Sequence, residues 1–167
     1  MKNRNYFNLK TCLLFFFLAI SNVFMLAQDI RQYRFDIFTI KLPESIKLIN
    51  EDKSDDMVCK TYNTQDKKFI YSYCIFNIDE DFDQKERLKE EALGMNIDID
   101  EVGYFAITTG TDSPLLSTIA QFDDFALTMG IYPHYDKNKA VFVCLVDASK
   151  QGDENLLTLM SSFRPLK

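Results

Sequence analysis

The chain has 167 residues, with 19 Lys and Arg against 25 Asp and Glu, a single His, no Trp and a formal net charge of −6. An acidic surface repels phosphate backbones, which argues against nucleic acid as a partner, and one histidine cannot supply a His-His metal site. Gly-rich phosphate loops, Cys-x-x-Cys pairs, Gly-x-Ser-x-Gly elbows and basic stripes do not occur.

Lys2, Arg4 and Lys10 precede an apolar run from Cys12 to Ile20, and Ala27 stands just before Gln28-Asp29. A basic head, a short apolar middle and a small residue at the end predict a secretory signal peptide over residues 1–27. An uncleaved membrane anchor is the alternative reading; Met25 is larger than a signal peptidase prefers three residues before the cut. Cys12 lies at the front of the apolar run rather than at its end, so lipidation of that cysteine is not expected. Residues 28–167 are then one exported domain, in the periplasm or outside the cell, with a formal charge of about −9.

Cys59, Cys74 and Cys144 remain after cleavage. Export permits disulfides, and an odd count leaves at least one thiol free or paired between chains. Residues 57–64 and 69–78 read as strands joined by Gln65-Asp66-Lys67-Lys68. If Thr64 lies opposite Phe69, Cys59 falls opposite Cys74 and a bridge closes a loop of about 15 residues; a slip of one residue removes the match. Three buried free thiols are the other outcome.

Residues 34–42 alternate as a first strand ended by Pro43, and the polar run 50–56 reads as a loop. Asp83 with Glu86 makes a capping box for a helix to about Met95, with Leu88, Ala92 and Met95 as its apolar stripe. Residues 96–101 read as an acidic connection and 102–109 as a strand ending at Gly110.

Residues 113–132 carry two patterns. Ser113 as N-cap, Pro114, and apolar residues at 115, 119, 122, 126 and 129 fit one helix over 114–129. Strict alternation from Phe125 to Ile131, with Asp123-Asp124 as a tight turn, fits a hairpin instead. Residues 139–147 are apolar on both faces, as a covered central strand requires. A last helix spans residues 153–163, with Leu156, Leu159, Met160 and Phe163 on one face. The fold class expected is α+β, a mostly antiparallel sheet with two helices packed on it, in the order β-β-β-α-β-β-β-β-α.

Candidate chemistry is sparse. Asp79, Asp81, Asp83 and Glu90 match positions 1, 3, 5 and 12 of a calcium loop, yet Gln84 stands where glycine is needed and Asp83 serves as a helix cap. The run from Asn96 to Glu101 matches less well. His134, beside Pro133, reads as a turn or surface residue, and Cys144 in mid-strand as inert packing. Tyr62, Tyr71 and Tyr73 share one face, either as core or as a contact surface. No catalytic, metal or cofactor residue is assigned; the pair Cys59 and Cys74 is the one expected structural site.

Phe38-Thr-Ile-Lys-Leu-Pro-Glu44, the strand Val141 to Val146 and the closing Met160-Ser-Ser-Phe163 together resemble the start and end of PsbP-like exported domains and of small exported bacterial proteins. The resemblance implies an α+β sandwich with a non-catalytic accessory role, and it carries over no site residue. Several strands look apolar on both faces while two short helices are available to cover them. That surplus predicts a binding domain whose partner is another protein, a second copy of the chain or a small apolar ligand. An immunity-type protein that neutralises a basic partner, and a hydrolase built on paired carboxylates, are the competing readings.

Overall fold

A computed structural model describes residues 29–148 and 152–167, so the expected leader over residues 1–27 lies outside the described residues. Strand β9 (Lys139–Asp147) is the fourth of seven in one antiparallel sheet. The sheet order is β3 (Lys47–Lys53), β4 (Met57–Asn63), β5 (Phe69–Asn77), β9, β8 (Ala126–His134), β7 (Leu115–Gln121) and β6 (Phe105–Ile107). Residues 140–147 are all buried, as are all nine residues of β8, because both faces at the centre of the sheet are covered.

One face carries α1 (Gln84–Gly94) and the short α2 (Ile99–Val102). Leu88 and Ala92 of α1 pack with Ile97, Ile99, Met129, Ile131, Phe142 and Cys144. Asp83 caps α1, its carboxylate accepting from the Lys85 and Glu86 amides at 2.9 and 3.0 Å. The opposite face carries α3 (Gly152–Met160) and a second, three-stranded sheet, in which β2 (Phe38–Pro43) lies between β1 (Ile30–Arg34) and β10 (Arg164–Pro165). Phe38, Ile40 and Leu42 alternate along β2 and join Tyr71, Tyr73, Val143, Leu145, Leu156, Met160 and Phe163 in the second core.

The α+β, sheet-dominated class stands, and several expectations are corrected. The single strand at 34–42 is a hairpin, because the chain turns at Phe35-Asp36-Ile37, where the Phe35 amide donates to the Phe38 carbonyl at 2.9 Å. The loop expected at 50–56 is largely strand β3. That strand is an outer edge with one neighbour, so its polar residues face water and carry no inward pattern. Residues 96–101 include α2, started by the Asp98 side chain on the Asp100 amide, and the strand expected over 102–109 shrinks to β6.

Residues 113–132 are the hairpin β7–β8, with the Phe122 amide bonded to the Phe125 carbonyl across the turn. A helix over 114–129 is excluded. Gly130 is the position that decides close packing here: a Cβ on it would lie 2.7 Å from Ser117 Oγ across the strand pair. The chain after α3 does not simply stop, since β10 pairs with β2.

Candidate functional site at the margin of the sandwich

Cross-strand neighbours point the same way, so Leu48, Tyr62, Tyr71 and Leu145 form one row running from the edge strand β3 to the central strand β9. Tyr71 and Leu145 are fully buried, Tyr62 is half-buried and Leu48 is 48% exposed. The second core therefore runs out into solvent at this side of the sandwich. Beside Leu48, Ile49 is the extra residue of a β-bulge and is 55% exposed.

Aromatic rings wall this margin. The ring of Phe35, on the turn between β1 and β2, lies 4.8 Å from Tyr73, 5.1 Å from Phe38, 5.6 Å from Tyr71 and 5.7 Å from Tyr62. Tyr33 stacks on Phe35 at 6.4 Å and donates its hydroxyl to the carbonyls of Pro43 and Glu44, which ties β1 to the end of β2. Lys60 pairs with Glu51 at 3.5 Å on the same side of the sheet. The charges of Asp36 and Glu51 reach both Tyr62 and Tyr73.

Burial raises the phenol pKa of Tyr62, Tyr71 and Tyr73 above the usual tyrosine value, and the acidic neighbours of Tyr62 and Tyr73 act in the same direction. The neighbouring phenols of Tyr62 and Tyr73 act on one another in opposite senses, favouring the phenolate of Tyr62 and opposing that of Tyr73. The Tyr71 hydroxyl is fully buried and has no hydrogen-bond partner among the described residues. Such a group is costly to leave unpaired. These phenols stay neutral at physiological pH, so the margin offers ring faces and hydroxyl donors rather than a base or a nucleophile.

The residues singled out from sequence lie elsewhere, apart from the tyrosines. Cys59 and Cys74 are in direct register and form a disulfide, both buried on the opposite face of the sheet, under α1. Cys144 is buried in that same layer, and burial first, then the nearby Glu91, pushes its thiol up to about 12. Asp79 and Asp81 are exposed, while Asp83 and Glu90 are engaged with the helix start and with Arg87. Among the described residues no group of three or more His, Cys, Asp or Glu is arranged to hold a metal.

His134 corrects the expectation of a turn or surface residue. It is buried as the last residue of β8, with Nε2 2.8 Å from the Leu166 carbonyl and its ring edge-on to Tyr132. Lys137 donates to the same carbonyl at 3.0 Å, so the pair holds the end of the chain in place. Phe35, Leu48, Ile49, Glu51 and Lys60 were not marked by sequence. The apolar pair Leu48-Ile49 in front of an acidic run was the available signal.

No family model matches this chain. A comparison with curated proteins likewise finds no significant match. Among the described residues, no helix is long and apolar enough to cross a membrane.

Proposed function

We propose that the chain is an exported, non-enzymatic binding domain whose contact site is the aromatic margin at β3 and β4. The observation that carries this reading is the row Leu48–Tyr62–Tyr71, in which a continuous core face passes from fully buried to solvent-exposed across three strands. Its physical basis differs from the surplus expected from sequence. α1 and α2 cover one face and α3 with the three-stranded sheet covers the other, so at this margin the exposed apolar surface lies along the edge strand β3.

Neutral phenols and an ion pair suit recognition by ring packing and hydrogen bonding better than acid–base chemistry. Glu91 is a carboxylate with a raised pKa, yet its close partner is Arg87, at 2.5 Å, rather than a second buried acid; this favours binding over carboxylate hydrolysis. The leader over residues 1–27, the disulfide and the resemblance to PsbP-like exported domains support export and an accessory role. An immunity-type role draws on the acidic charge alone.

An environment-sensitive apolar dye tests the reading. The full chain should bind it, and Leu48→Glu with Ile49→Glu should abolish binding while leaving the circular dichroism spectrum unchanged. Dye binding that survives both substitutions, or no binding by the native chain, would remove the basis for a site here.

A further inference from the structure

Phe35 belongs to a surface turn, yet its ring is held among Phe38, Tyr62, Tyr71 and Tyr73 at 4.8 to 5.7 Å. The turn is tied by one backbone bond across it and by the Leu166 amide on the Ile37 carbonyl, and Asp36 at its tip is exposed. A phenyl ring thus fills a socket built on the two sheets, and one of the rings around it, Tyr71 at 5.6 Å, carries a buried hydroxyl with no hydrogen-bond partner among the described residues. The ring supplies the shape that the socket accepts but has no atom to accept that hydrogen.

We infer that the socket is a binding site for a small planar aromatic molecule carrying one neutral hydrogen-bond acceptor, and that Phe35 is a self-ligand which such a molecule displaces. The incoming ring would take the place of the Phe35 ring and its acceptor would receive the Tyr71 hydroxyl. Asp36 and Glu51 disfavour an anionic ligand beside Tyr73, while Lys60, paired with Glu51, opposes them beside Tyr62. The inference rests on the binding reading above and names the ligand class for that margin.

Three probes of similar shape decide it by protein-observed NMR titration of the full chain: acetophenone, which has one acceptor; ethylbenzene, which has none; and benzoate, which is charged. Acetophenone should bind best and benzoate least. Phe35→Ala should tighten acetophenone and ethylbenzene by about tenfold, since the competing ring is gone. Tyr71→Phe should erase the preference for acetophenone over ethylbenzene, a loss of about five- to tenfold, without weakening ethylbenzene.

If Phe35→Ala does not fold, Phe35→Leu and the Tyr71→Phe comparison still decide the matter. Equal binding of acetophenone and ethylbenzene by the native chain, or no gain on shortening Phe35, overturns the inference. If the apolar dye still binds at Leu48 and Ile49 when these probes do not bind, only the socket inference fails; if the dye is silent too, the binding reading fails with it.

Discussion

Burial pushes the Cys144 thiol up to about 12, with the Glu91 carboxylate adding to the effect, so the thiolate that reagents attack is scarce at neutral pH. Iodoacetamide at about pH 8 should therefore leave Cys144 unmodified in the native chain and modify it in denaturant, as peptide mass spectrometry would show. Glu91 itself is raised from its ordinary value of 4.5 by burial, against the pull of Arg87. An acid with a raised folded pKa contributes stability that is present below its unfolded pKa and lost as pH rises through the folded one. Denaturant titrations of Glu91→Gln should thus lack a fall in stability that the native chain shows as pH climbs from about 4.5; parallel pH profiles would contradict this. At Tyr71, where a desolvated hydroxyl has no partner among the described residues, Tyr71→Phe should leave stability unchanged or raise it by up to about 1 kcal/mol in the ligand-free chain.

The disulfide joins neighbouring strands β4 and β5 across a separation of 15 residues. Replacing both cysteines by alanine should lower unfolding stability by about 3 kcal/mol on the chain-entropy account, read from denaturant midpoints. That pairing was legible only on an assumed register, with Thr64 opposite Phe69 across a four-residue polar turn, and the structure has Cys59 opposite Cys74. The cap at Asp83 was legible from its spacing to Glu86, and Asp83→Ala should cost about 1 kcal/mol. Strand β3 was not. An edge strand with both faces in water has no period to display, so Lys47–Lys53 looks like a loop until β4 is seen beside it. The β1–β2 turn was hidden because Phe35 and Ile37, on either side of Asp36, keep the alternation running through a reversal of the chain. At the margin, Tyr62, Tyr71 and Tyr73 could be placed on one face, but whether that face is covered depends on β2, nearly 20 residues or more away in sequence.

The seven-stranded sheet has α1 and α2 on one face and α3 with the three-stranded sheet on the other. A broad free apolar surface would invite aggregation, and along this sheet the exposed apolar side chains Leu48 and Ile49 lie on the edge strand β3. The bulge at Ile49 and the charges of Lys47, Glu51, Asp52 and Lys53 protect β3 against indiscriminate strand pairing, while Leu48 and Tyr62 remain reachable on one face. Other exposed apolar side chains, among them Leu93, Val102 and Tyr104, lie near α1 and α2, away from this margin. Methyl-resolved NMR of the full chain during titration with the apolar dye separates these regions directly. Resonances of Leu48 and Ile49 should shift first and saturate together; shifts centred on Leu93 and Val102, with Leu48 and Ile49 unmoved, would contradict the account.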